Sequence, residues 1–89
     1  MPRIVLEGKE YPFNSYATIG RSSKCTVCIP DIKLSRVHCE IIQEDNDFIM
    51  IDLHSQNGMK LHDHFVTEAI LKDKDKVTLG RTEFTFFIL

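Results

Sequence analysis

DNDFIMIDLHSQNGMKL, residues 45–61, decides the reading of the whole chain. Asp45-Asn46-Asp47 is a polar turn signal, and residues 48–52 that follow are apolar up to Asp52 and rich in isoleucine, as strands are. The run then breaks into polar residues and closes on Asn57-Gly58. That pair is the strongest short hairpin signal, because Asn and Gly tolerate the positive φ of a type I′ turn. Residues 59–61 resume the apolar pattern. Working outward, similar runs stand at 4–6, 11–13, 16–19, 26–29, 38–43, 76–79 and 83–88. Gly8, Asn14-Ser15, Gly20, Pro30-Asp31 and Gly80 punctuate them, at close to the ~8–12-residue spacing of a sandwich or barrel. One segment dissents. In residues 62–71, Phe65, Val66, Ala69 and Ile70 fall at i, i+1, i+4 and i+5, a helix-compatible pattern. It lacks a cap and has strand signals on both sides, so a loop with a short edge strand is expected there. The fold class is all-β.

At 89 residues and 10.3 kDa the chain has room for one domain, spanning 1–89, of a kind that can also sit inside a longer protein. The 43% hydrophobic share suffices for a core, and a 27% charged share keeps the surface soluble. A formal charge of -2 and a pI of about 6.0 speak against a nucleic-acid binder, which would carry a basic excess. No apolar run approaches the ~20 residues of a membrane helix. The first residues lack the apolar core of a secretory signal, which makes the cytosol, or the nucleus of a eukaryote, the expected compartment.

The mean charge hides an asymmetry. Through Arg36 there are six basic residues against three acidic ones, net +3. From Val37 onward five basic residues face ten acidic ones, net -5. Arg21, Lys24, Lys33 and Arg36 stand with only Asp31 among them, so an anion-binding surface can exist on a weakly acidic protein. Cys25, Cys28 and Cys39 are an odd number, which argues for reduced thiols over a disulfide framework. Cys25 and Cys28 form C-x-x-C and raise a zinc or redox alternative. A zinc site would need two further ligands from Cys39, His38, His54, His62 or His64, at no familiar spacing. A thioredoxin-like pair would need a βαβ context that is absent. No metal and no cofactor is expected.

Chemistry concentrates at the strand ends. Arg21 and Arg36 offer guanidinium forks that match phosphate oxygens, and Ser35 offers a hydroxyl and a loop N–H. Asn57 carries donors and an acceptor suited to an extended peptide backbone. Gly20 and Gly58 allow sharp turns that bring these groups together. Ser35 and His38 lack the carboxylate and oxyanion partners of a triad, so catalysis is not expected.

In this order the motifs resemble the forkhead-associated (FHA) domain: I-G-R at 19–21, L-S-R-V-H at 34–38, D-L-H-S-Q-N-G at 52–58 and L-K-D-K-D-K-V-T-L-G at 71–80. The resemblance runs over nearly the whole chain. It implies a β-sandwich of two twisted sheets, FHA/SMAD-like, with recognition loops at one end, and a module that binds phosphothreonine in partner proteins for signalling. By the same resemblance Arg21 contacts or orients the phosphate, Ser35 bonds a phosphate oxygen and Arg36 contacts phosphate or peptide backbone. Asn57 grips the peptide main chain, and the side chain or N–H of Gln56 completes the phosphate shell. Gly20, His38 and Gly58 hold the loops in shape.

Departures from the family pattern fall on outer positions. Met59 stands where Thr often follows Asn-Gly, His62-Asp63-His64 replaces a later Asn-Gly turn, and Lys74 replaces a glycine. They bear on peptide selectivity and leave the phosphate ligands in place. Lys33, two residues before Ser35, is expected to favour an acidic residue after the phosphothreonine. The expected partner is a phosphothreonine protein or peptide met by a monomeric domain. The alternatives are an FHA-like scaffold that binds through a sheet face without phosphate, and the cysteine-based metal or redox protein.

Overall fold

Alternating burial converts the chain's short apolar runs into two sheets. The structure, a computed structural model, describes residues 1–89. In chain order the strands are β1 (Arg3–Leu6), β2 (Lys9–Pro12), β3 (Tyr16–Gly20), β4 (Val27–Cys28), β5 (Cys39–Glu44) and β6 (Asp47–Asp52). The second half adds β7 (Met59–Leu61), β8 (His64–Val66), β9 (Glu68–Leu71), β10 (Asp75–Leu79) and β11 (Thr82–Phe87). One sheet runs β2-β1-β11-β10-β7-β8 and the other β4-β3-β5-β6-β9. The pairings are antiparallel, with one parallel exception between β3 and β4. The chain is an all-β sandwich, as its sequence pattern predicts.

Between the sheets, Ile4, Val77, Phe84 and Phe86 of one layer meet Ile19, Ile41, Phe48 and Met50 of the other. Phe48 and Phe86 lie with ring centroids 5.5 Å apart, and Phe13 meets Phe48 edge-on at 6.3 Å. Fully burying an apolar side chain of this size is worth ~1.5–3 kcal/mol, so this layer supplies the main cohesion of a small domain. Met59, at the departure from the family pattern, is fully buried. Its role is packing.

Register gathers one set of strand ends. Cys39 at the start of β5 lies opposite Ile19 of β3 and Asp52 at the end of β6. In the other sheet, Met59 of β7 pairs with Leu79 of β10, which pairs with Thr82 of β11. The loops leaving these ends carry Arg21, residues 33–38, residues 53–58 and the Gly80-Arg81 turn.

Two sequence expectations are corrected here. Asn57-Gly58 is not a hairpin turn: β6 and β7 lie in different sheets, and only Gly58 has positive φ, 74°. The segment crosses from one layer to the other. Residues 62–71 contain two strands, β8 and β9, where a loop with one edge strand was expected. His62 and Asp63 both have positive φ, 50° and 68°, and join β7 to β8 in the two-residue geometry of a type I′ turn. Asp tolerates that conformation better than most residues, and the pairing of Leu61 with His64 closes the turn. The helix-like spacing arises because β8 and β9 are edge strands of different sheets, exposing Phe65 and Ile70.

Candidate functional site

Gly20 ends β3, and the absence of its side chain sets the site's geometry. A Cβ there would stand 2.2 Å from the Arg36 carbonyl oxygen and 2.9 Å from the His38 nitrogen. Only glycine lets residues 35–38 lie against residues 19–22. Three main-chain bonds then form: Arg21 N–H to the Ser35 carbonyl at 3.1 Å, Ser22 N–H to Arg36 at 3.0 Å, and His38 N–H to Ile19 at 2.8 Å. The expected sharp turn at Gly20 is therefore a close approach of two segments, with no positive φ required.

His38 locks this arrangement from beneath. It is fully buried, its Nδ1 accepts the Ser35 N–H at 3.1 Å, and its Nε2 lies 2.7 Å from the Gly58 carbonyl oxygen. Since Nδ1 accepts, the ring's proton sits on Nε2 and is donated to that carbonyl. One imidazole thus ties the serine loop to the asparagine loop and keeps neither nitrogen free. The asparagine loop has its own brace. Ser55 donates its N–H and hydroxyl to the Asp52 carboxylate, and its Oγ accepts the Gly58 N–H at 2.9 Å.

On this frame the polar side chains face solvent. Arg21 is exposed, and its Nε–H donates to the Leu34 carbonyl at 3.3 Å, which orients the guanidinium. Arg36 is exposed on the next loop. Half-buried Ser35 accepts the Gln56 N–H on its Oγ at 3.1 Å and keeps its own hydroxyl proton to donate. The Gln56 N–H is engaged in that bond, so its exposed side chain is the part left for a ligand. Asn57 donates from Nδ2 to the Lys33 carbonyl at 2.6 Å, retaining one N–H and its carbonyl oxygen. No carboxylate pairs with Arg21, Lys33 or Arg36; Arg3 pairs with Glu10, and His62 hydrogen-bonds Asp75. These three cations are free of side-chain ion pairs.

Beside it opens a groove of about 250 Å³, lined by Lys33, Asn57, Lys60, Phe65 and Arg81 among others. The Lys60 ammonium lies 4.9 Å from the centre of the Phe65 ring. Lys60, Phe65 and Arg81 escaped the sequence reading, since only the register of β7, β8 and β10 brings them alongside Lys33. Asp31 fixes this side of the site. It accepts the Lys33 N–H at 2.8 Å, the Arg81 N–H at 2.9 Å and the Thr82 hydroxyl at 2.9 Å. The Lys33 N–H, then that of Arg81, hold its carboxyl below the usual carboxylate range.

The cysteines take part as props. Buried Cys25 lies 3.3 Å from the Arg36 carbonyl oxygen, and exposed Cys28 lies 3.4 Å from that of Arg21. Burial pushes the Cys39 thiol well above its ordinary range. No three or more His, Cys, Asp or Glu side chains group where a metal ion could be held.

Residues 17–80, which include the Gly20-Arg21, Ser35–His38 and Ser55–Gly58 clusters, match the family model of the FHA domain. The chain belongs to the FHA family. FHA domains bind phosphothreonine. Among curated relatives, the transcriptional regulatory protein EmbR of Mycobacterium tuberculosis is 30% identical over 86 residues, covering 94% of this chain and 22% of EmbR. The glycogen accumulation regulator GarA of the same organism is 31% identical over 67 residues, covering 75% of this chain and 41% of GarA. This FHA domain therefore spans under half the length of either relative. Among solved structures, one from an analysis of phosphothreonine-dependent FHA domain interactions superposes with a TM-score of 0.91 at 28% identity, covering 99% of this chain and 96% of that one. EmbR in complex with a low-affinity phosphopeptide superposes at 0.92 with 25% identity, covering 98% of this chain and 24% of that one.

Proposed function

We propose that this FHA domain recognises phosphothreonine in partner proteins through Arg21, Ser35 and Arg36, with Asn57 holding the peptide main chain and the Gln56 side chain completing the phosphate shell. The observation that carries the assignment is the state of the donors. Two unpaired guanidinium groups and a hydroxyl with its proton free share one frame, pulled together across Gly20. The protein's own hydrogen bonds hold the frame together, which limits the ordering that binding requires of it.

Magnitudes fit reversible recognition. A phosphate near -2 gains ~1.5–3 kcal/mol from each charge-assisted hydrogen bond. Association and peptide ordering cost at least ~4 kcal/mol. Roughly micromolar binding, about -8 kcal/mol, then needs ~12 kcal/mol in all, which about five such bonds supply. Lys33, Lys60 and Arg81 around the adjoining groove favour acidic residues following the phosphothreonine. The domain acts by binding and not by catalysis, since both nitrogens of His38, the sole base beside Ser35, are committed to the main chain.

The test is a titration of one peptide in phosphothreonine, phosphoserine and unmodified forms against the wild-type domain and Arg21→Ala. Binding confined to the phosphothreonine form and lost in Arg21→Ala is the expected result. Equal binding of modified and unmodified peptide would overturn it.

A further inference from the structure

The outward side of the five-stranded sheet is unlike an ordinary solvated sheet face. Strand register aligns Tyr16 with Ile42, Ile42 with Ile49, and Ile49 with Ile70, one apolar row crossing four strands. These positions alternate with the buried Ala17, Ile41, Met50 and Leu71, so the row points away from the core. Tyr16 and Ile70 at its ends are 53% and 54% exposed. Ile51 extends it toward the recognition end, directly opposite Glu40. A solvated antiparallel face would alternate apolar in and polar out, whereas here Tyr16, Ile42, Ile49, Ile51 and Ile70 put apolar side chains outward as well.

The charges around the row all have one sign. Glu44 and Asp47, paired with each other, lie on one side, and Glu40 and Glu68 flank Ile51 on the other. No Lys, Arg or His occupies an outward position of the five paired strands. The Tyr16 hydroxyl donates to Glu40 at 3.0 Å, which holds that carboxylate beside the apolar row. The six-stranded sheet differs: its outward face mixes Arg3, Glu10, Lys60, Lys76 and Glu83.

We propose that this face docks a second, unphosphorylated protein segment that is apolar at its centre and flanked by lysine or arginine. Charge complementarity selects that occupant. A second copy stacked face to face would bring eight carboxylates together with no cation between them, and like charges at close range oppose such contact. A neutral apolar partner would strand the carboxylates away from water. A basic flank satisfies them while the apolar row is covered, and the phosphothreonine loops at the sheet end stay open. The domain can thereby hold two partners at once, one dependent on phosphate and one not. This site is separate from the phosphothreonine reading and survives its failure.

Random unphosphorylated peptides displayed on phage, panned on the wild-type domain and counter-selected on Ile70→Lys, supply the probe. Enriched peptides should carry a basic excess around apolar residues and weaken with rising salt. They should bind Arg21→Ala as well as wild type and lose at least tenfold on Glu68→Lys, an exposed substitution that the fold tolerates. The proposal is overturned if no peptide distinguishes wild type from Ile70→Lys, if the enriched peptides lack basic residues, or if Arg21→Ala abolishes their binding. It is also overturned if sedimentation shows a wild-type dimer that Ile70→Lys disperses, since the occupant would then be a second copy.

Discussion

The recognition end and the outward face of the five-stranded sheet are built from neighbouring residues of the same strands, yet they are opposites. At the end of β3, Arg21 joins Lys33 and Arg36 without a single paired carboxylate. A few residues back along the same strand, Tyr16 begins a row of isoleucines bordered by carboxylates alone. The basic first half and acidic second half of the sequence are thus not two lobes. They become an end and a face. Loops can change charge without touching the core, whereas the sheet face inherits its pattern from the pleat. Separating them is a matter of finding substitutions that disturb one and spare the other.

His38→Ala should have the largest effect, and it originates at the recognition end. It leaves the half-buried Ser35 N–H and Gly58 carbonyl without their protein partners, at ~1–3 kcal/mol each, and opens a cavity besides. A loss of about 3–5 kcal/mol out of a total near ~5–15 kcal/mol is expected, read as a lowered denaturant midpoint. Phosphopeptide binding should fall with it at temperatures where the fold persists.

Arg21→Ala comes next. Removing an exposed guanidinium should change stability by under ~0.5 kcal/mol. Losing one or two charge-assisted bonds of ~1.5–3 kcal/mol each should weaken phosphopeptide binding at least about tenfold, measured by calorimetry. Ser35→Ala removes the proposed phosphate donor and also the acceptor of the Gln56 N–H, so it should cost ~1–3 kcal/mol in binding. A comparable loss in Tyr16→Ala, far along the strand, would erase the distinction between the two surfaces.

Much of the recognition end was legible because each of its constraints demands one residue type. Gly20, Ser35, His38 and Asn57 meet Arg36, Gln56, Gly58 and Lys33 respectively across the fold, and such requirements leave residue-type signatures in order along the chain. The sheet face was not legible. Tyr16, Ile42, Ile49 and Ile70 are ordinary alternating residues until register places them side by side. Lys60 and Arg81 are hidden for the same reason, since their nearness to Lys33 depends on which strands adjoin. Asn57-Gly58 misled because hairpin chemistry was assumed between strands that fold into separate layers. His62-Asp63, carrying a weaker turn signal, makes the two-residue turn. Residues 62–71 read as a loop with one edge strand because two edge strands of different sheets expose their apolar residues at a spacing that is also helix-compatible.

A pH series divides the surfaces more gently. The phosphate dianion protonates near pH ~6, so phosphopeptide affinity should decline as pH falls through that value. Contacts of the sheet face, which involve no phosphate, should not change over the same interval.

The smallest effect belongs to Asp31, which joins the Lys33 loop to the Gly80-Arg81 turn. Its carboxyl is held below the usual range by the Lys33 and Arg81 N–H groups, so the folded state binds a proton less readily than the unfolded chain. Such a group stabilises the fold at pH values above its unfolded pKa of 3.8, and that contribution disappears as pH falls through the lower folded value. Because Asp31 lies at the surface, the contribution is small and salt-sensitive. In Asp31→Asn the side-chain carbonyl can still accept, but one oxygen of the three-way junction is replaced by a donor. The variant should show a slightly lower thermal midpoint at neutral pH and a shallower decline than wild type in acid. Its effect on phosphopeptide binding should be confined to peptides with acidic residues after the phosphothreonine, because Lys33 and Arg81 lose their common anchor while Arg21 and Ser35 keep theirs. An equal loss for all phosphopeptides would mean that the groove and the phosphate loops are one rigid unit.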